Sequence, residues 1–162
     1  MSKISVLFVC LGNICRSPTA HAVFQSMVDA EELSDRIYVD SSGTGDWHIG
    51  RAPDPRSQHY ALDRGYDMGD LRARLVEQDD FNQFDYIFAM DKQNLADLQA
   101  MRPSNYSGEL GLFLDLCQNP DYINYSEVPD PYYGEGEGFT LVLDLIEDAS
   151  VELIRLITSS PP

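Results

Sequence analysis

At 162 residues the chain suits one domain, and with 43% hydrophobic residues it can bury a core without disulfides or metals. Its net charge of −16, from 27 acidic residues against 11 Lys and Arg, argues against partners that need clustered cations, namely nucleic acid and anionic membrane surfaces. A small site for one phosphate group stays open, because a few N–H groups and one arginine can make a locally positive spot.

Ile4 to Cys10 (ISVLFVC) is a nearly continuous apolar run, as in a strand buried on both faces of a parallel sheet. Leu11-Gly12-Asn13 reads as a loop. Ser17-Pro18 reads as a helix start, with Ser17 as N-cap and Ala20, Val23, Phe24, Met27 and Val28 following at helical spacing. Ile37 to Ser41 is a second strand, leading into a loop, 42–47, that carries Trp47. Asp54 is expected to cap a helix stopped by Gly65. Phe84 to Met90 is a third strand, and Asp91 caps a helix with Leu95, Leu98 and Met101 inside. Leu110 to Leu116 is a weaker fourth strand. The polar segment 118–138 is long enough to suggest function. Phe139 to Ile157 is an amphipathic helix with Val142, Leu145, Ile146, Ala149, Leu153, Ile154 and Ile157 on one face.

Strands alternating with helices imply an α/β fold with a parallel sheet covered on both faces. Ligands of such sheets sit beyond the carboxyl ends of the strands. Cys10-Leu11-Gly12-Asn13-Ile14-Cys15-Arg16-Ser17 lies at that place. A loop between strand and helix can turn successive N–H groups inward as an anion nest, helped by the helix dipole. Gly12 and Asn13 suit its tight or left-handed turns. Arg16 offers a planar fork for two phosphoryl oxygens. The helix terminus and Arg16 both favour thiolate over thiol at Cys10, which can then attack phosphorus. Ser17 can donate to the sulfur, and Asn13 can orient Ser17. The glycine-rich run ending in Gly-Lys-Ser/Thr is missing, so this is no Walker loop. Cys10 and Cys15 lack a second pair for zinc, and no metal is expected.

Thiolate attack needs a proton donor for the departing oxygen. Asp130, stiffened between Pro129 and Pro131, is the candidate general acid and base, although Pro-Asp-Pro alone is also turn chemistry. Trp47, Tyr132 and Tyr133 suit an aromatic slot that selects phosphotyrosine over the shorter phosphoserine; for Trp47, ordinary partial burial is an equal alternative. His21, His48 and His59 read as structural or surface residues, and Cys117 as core.

Val9 to Pro18 (VCLGNICRSP), together with Asp130-Pro131-Tyr132-Tyr133, resembles the low-molecular-weight protein-tyrosine phosphatase family. The likeness runs essentially the whole chain. It implies one domain over residues 1–162, a three-layer fold with a four-stranded, twisted parallel sheet and helices on both faces. It also implies Cys10 as nucleophile, Arg16 as phosphate binder and Asp130 as acid and base. Leu11, Gly12, Asn13, Ile14, Cys15, Ser17, Trp47, Tyr132 and Tyr133 would bind substrate, with no metal or organic cofactor. Ile14 favours phosphotyrosine, since protein-arginine phosphatases of this family carry Thr there. Trp47 with the paired tyrosines is similar to the eukaryotic-type subgroup. A reversible Cys10–Cys15 disulfide is a further implication.

The expected partners are phosphotyrosine-containing proteins, with no nucleic acid and no membrane, for a monomer or weak homodimer. Three cysteines, no signal-peptide pattern and no run of about 20 apolar residues make the cytoplasm the expected compartment. Two rivals share the loop. An arsenate reductase would need a downstream cysteine pair, and 77–100 contains no cysteine. A non-catalytic phosphate-binding module would not need Cys10, Arg16 and Asp130 together.

Overall fold

In the computed structural model, residues 3–131 and 136–159 are described. Four strands, β1 (Ile4–Cys10), β2 (Ile37–Gly43), β3 (Tyr86–Ala89) and β4 (Glu109–Leu112), form a parallel sheet in the order β2-β1-β3-β4. Among the described residues five α-helices accompany it: α1 (Arg16–Ala30), α2 (Pro55–Asp63), the short α3 (Asp80–Gln83), α4 (Lys92–Met101) and α5 (Gly136–Ser159). Among the described residues no helix is long and apolar enough to cross a membrane.

The run ISVLFVC becomes the inner strand because it can bury both faces. Val6, Phe8 and Cys10 face one core, with α1 and α5, while Leu7 and Val9 face the other, with Phe84, Leu98 and Tyr106. Val6 to Val9 have no solvent exposure at all, and each such side chain contributes about 1.5–3 kcal/mol of transfer free energy. The Phe8 ring meets Phe24, Phe88 and Phe113 at centroid distances of 5.8, 6.2 and 4.9 Å. On α5, Val142, Leu145, Ile146, Ala149, Leu153 and Ile157 are buried as expected, whereas Ile154 is only half-buried.

The chain leaves β1 toward β2 on one side and returns to β3 on the other. Connections therefore diverge at the carboxyl ends of β1 and β3, which opens a crevice there. Cys10 ends β1, and Asp91 lies two residues beyond the end of β3.

Several boundaries differ from the sequence expectation. Helix α1 begins at Arg16 with Cys15 as its N-cap, and no side chain caps it, so Ser17 is not the cap. The fourth strand stops at Leu112, opposite Ala89, where β3 also stops; Phe113–Leu116 turns into a 3₁₀ helix. Phe84 is not in β3: its N–H returns to the Asp80 carbonyl and closes α3, an element that the pattern did not suggest. Asp54 and Asp91 do cap α2 and α4, accepting N–H bonds from Arg56 (2.8 Å) and Asn94 (2.7 Å) respectively. Gly65 follows α2 with a positive φ of 89°.

Candidate active site

The loop 10–16 is tied from outside by its carbonyls. Cys10 and Leu11 accept from the N–H groups of Thr44 (2.9 Å) and Gly45 (2.8 Å), Ile14 accepts from Asp54 N–H (2.8 Å), and Cys15 accepts from the Thr19 hydroxyl (2.6 Å). With these acceptors engaged outward, Asn13 takes a left-handed φ of 57° and turns its N–H onto Cys10 Sγ at 3.3 Å. Ser17 Oγ lies 3.0 Å from the same sulfur. Asn13 Nδ2 donates to Ser17 Oγ (2.8 Å), and the Ser17 hydroxyl reaches the Ser42 carbonyl (3.2 Å). Two glycines permit this packing. A Cβ on Gly43 would sit 2.8 Å from the Leu11 oxygen and 3.2 Å from Asn13, and one on Gly12 would meet His48 Cδ2 at 2.9 Å.

Arg16 opens α1 and is only 4% exposed. Its Nη1 donates to Asp91 Oδ2 (2.7 Å) and to the Val128 carbonyl (3.2 Å), while Nη2 lies 3.8 Å from Asp130 Oδ2. Burial opposes its charge, but Cys10, Asp91 and Asp130 outweigh that and raise its pKa above the ordinary arginine value. The Asp130 segment is docked just beyond the end of β3 and at the start of α4, through Val128 N–H on the Met90 carbonyl (2.7 Å) and Glu127 on the Lys92 N–H (2.9 Å). At Cys15, burial pushes the thiol up to about 12; the Ser57 hydroxyl opposes this, while Asp54, Cys10 and Asp130 add to it.

Cys10, Leu11, Gly12, Ile14, Cys15, Arg16, Trp47, His48 and Asp130 line one cleft of about 420 Å³. The structure thus gathers most of the expected site residues. Asn13 and Ser17 differ: they are buried beneath the loop rather than along the cleft wall, and they reach it only through the sulfur. Trp47 stands 67% exposed at the mouth, its ring against Gly45 where a Cβ would collide, so ordinary partial burial does not describe it. Tyr132 and Tyr133 lie outside the described residues. Cys117 is a core thiol, as expected.

Two residues gain roles that sequence reasoning missed. His48 lines the cleft instead of being a bystander; its adjacency to Trp47 was the available signal. Asp91 holds Arg16 as well as capping α4, and its position just past a strand end pointed that way.

A family model described as "Low molecular weight phosphotyrosine protein phosphatase" matches residues 5–160. The low molecular weight protein-tyrosine-phosphatase YfkJ of Bacillus subtilis is 39% identical over 95% of this chain and 96% of its own. The low molecular weight phosphotyrosine protein phosphatase of Sus scrofa is 41% identical over 85% of each chain. A crystal structure of protein tyrosine phosphatase from Entamoeba histolytica, with Hepes in its active site, superposes with a TM-score of 0.91 at 41% identity, covering 97% of this chain and 98% of that one. With the sheet order and the loop geometry in place, these matches establish that the chain belongs to the low-molecular-weight phosphotyrosine protein phosphatase family and is a phosphatase.

Proposed function

We propose that the enzyme hydrolyses phosphotyrosine in proteins through a phosphocysteine on Cys10. The observation that carries this reading is the pair of groups on Cys10 Sγ, the Asn13 N–H at 3.3 Å and Ser17 Oγ at 3.0 Å, beside a buried Arg16 in the same loop. The Asn13 N–H stabilises negative charge on the sulfur, both when it attacks and when it later departs, and the Ser17 hydroxyl adds to this when its single proton turns from the Ser42 carbonyl to the thiolate.

In the first step the Cys10 thiolate attacks phosphorus, the P–O bond to the tyrosyl ring breaks, and Asp130 gives its proton to the departing oxygen. In the second step water attacks phosphorus, the Asp130 carboxylate takes the water proton, and the P–S bond breaks to return thiolate and phosphate. Arg16 and the loop N–H groups hold the equatorial oxygens throughout. Leu11, Gly12, Ile14 and Cys15 form the floor and walls, Asn13 and Ser17 support from beneath, and Trp47 with Tyr132 and Tyr133 takes the aromatic ring. Ile14, in the cleft, favours a flat phosphotyrosine over phosphoarginine. The third thiol, Cys117, is buried against the Leu145 carbonyl at 3.8 Å, which gives the arsenate-reductase reading no exposed relay. Three unpaired cysteines support action in a reducing cytoplasm.

Hydrolysis of an aryl phosphate tests the reading. Cys10→Ser abolishes turnover. Asp130→Ala slows it about 10²–10⁴-fold, the usual contribution of a general acid, and accumulates phosphorylated Cys10 in acid-quenched samples read by mass spectrometry. Normal turnover by Cys10→Ser refutes the mechanism.

A further inference from the structure

The Arg74 side chain lies outside the cleft lining, yet its backbone closes the set of bonds around the nucleophile. The Arg74 N–H donates to Asn13 Oδ1 at 3.0 Å. Asn13 uses its other amide atom on Ser17 Oγ, and Ser17 Oγ contacts Cys10 Sγ, so a continuous series runs from Arg74 to the sulfur. Asn13 also carries the left-handed turn that sends its own N–H onto Sγ. Asn13 therefore bears on both groups at the sulfur, on Ser17 Oγ through its side-chain amide and on its own N–H through its backbone.

The Arg74 backbone is held in two ways. Main-chain bonds tie its segment to the end of β2: Gly43 N–H to the Arg74 carbonyl (2.9 Å) and Val76 N–H to the Gly43 carbonyl (2.8 Å). The side chain adds a clamp. Its Nε donates to Asp40 Oδ2 (3.1 Å), and Nη1 and Nη2 donate to the two oxygens of Asp80 (3.1 and 3.2 Å). Asp80 is 4% exposed and also takes the Glu77 N–H (2.8 Å), so the clamp is anchored at the start of α3. A guanidinium between two carboxylates on two elements restricts rotation of the residue whose N–H positions Asn13.

We infer that Arg74 is a positioning residue for the Cys10 nucleophile, its side-chain clamp to Asp40 and Asp80 aiming the backbone N–H that orients Asn13. The inference rests on Cys10 being the nucleophile. Arg74 touches no substrate; it acts through Asn13 and Ser17.

The test uses the full chain, an aryl phosphate and iodoacetamide. Arg74→Met keeps the length of the side chain and removes both ion pairs. It lowers kcat roughly tenfold, short of the loss from a full 1 Å misplacement because the main-chain ties remain. KM stays within about twofold, since the cleft walls are unchanged. Alkylation of Cys10 at neutral pH slows several-fold. Arg74→Lys recovers part of kcat. In an Asn13→Ala background Arg74→Met adds nothing, because the bond through which it acts is already gone. A folded Arg74→Met with wild-type kcat and alkylation rate overturns the inference, and so does an undiminished effect in the Asn13→Ala background. Should Arg74→Met fail to fold, Asp40→Asn, which leaves the Asp80 pair intact, carries the same test with the same two outcomes. Turnover by Cys10→Ser overturns the nucleophile and the inference with it. A neutral Arg74→Met beside an inactive Cys10→Ser overturns only the role of Arg74.

Discussion

Arg16 and Asp91 stand 75 residues apart in the chain, yet Nη1 of the first lies 2.7 Å from Oδ2 of the second. They leave the sheet from β1 and β3, the two strands between which the connections diverge, so the bond spans the crevice at its base. Asp91 divides its oxygens between two tasks, Oδ1 capping α4 at the Asn94 N–H and Oδ2 holding the guanidinium.

Asp91→Asn separates those tasks. Asparagine is as good an N-cap as aspartate, so thermal stability changes by less than about 1 kcal/mol. The charge on Arg16 loses its close partner, and kcat/KM for an aryl phosphate falls roughly 10- to 150-fold, the loss expected for a charge-assisted hydrogen bond of about 1.5–3 kcal/mol. Steady-state kinetics beside a melting curve reads both; a stable variant with unaltered kinetics contradicts the second role.

Gly43 and Gly12 predict opposite sensitivities to an added methyl. At Gly43 the methyl meets the Leu11 backbone oxygen and the Asn13 Cβ and N, which cannot move without displacing the loop. Gly43→Ala therefore costs about 1–3 kcal/mol of stability and most of the activity. At Gly12 the neighbour is the His48 ring, which can rotate away. Gly12→Ala keeps the fold and alters KM more than Tm. Equal melting temperatures for the two variants would sink the comparison.

His21 gives stability a pH dependence of known sign. Burial lowers its pKa, Asp40 opposes that and Arg74 reinforces it, and its Nδ1 lies 3.0 Å from Ser41 Oγ. The unfolded histidine titrates near about 6.5. Above that value both states are neutral and no dependence arises. As pH falls through it, the unfolded chain takes up the proton first, so this residue's contribution is lost going down in pH and levels off once the folded form also protonates. Melting temperatures from pH 8 to pH 5 should fall more steeply for the wild type than for His21→Gln; parallel curves contradict the assignment.

Mild peroxide is predicted to give a Cys10–Cys15 disulfide. Peroxide oxidises the Cys10 thiolate to a sulfenic acid and releases hydroxide. The Cys15 thiol then condenses with it, losing water. With its own titration pushed up to about 12, Cys15 resists direct oxidation at neutral pH and leaves the first step to Cys10. Peptide mass spectrometry should find the crosslink in the wild type and Cys10 sulfonic acid in Cys15→Ser. Sulfonic acid at Cys10 with Cys15 free in the wild type would count against the switch.

The sequence by itself determined most of what is contiguous, although not every boundary, since α1 starts at Arg16 without a Ser17 cap and α3 left no pattern. Cys10 to Ser17 is one strand end, one loop and one helix start, so its composition dictates its local shape, and the buried run ahead of it forces β1 to the inside of the sheet. Asp54 and Asp91 were legible as caps because a cap needs only its own next three residues. Tertiary structure decided what depends on strand order. The hold of Asp91 on Arg16, the Arg74 N–H on Asn13, the Ser42 carbonyl beneath Ser17 and His48 facing Gly12 all join residues brought together by the β2-β1-β3-β4 arrangement. Periodicity reports which side of an element is apolar, not which elements become neighbours. Even the end of β4 was fixed by its partner, since a ladder stops where the strand beside it stops.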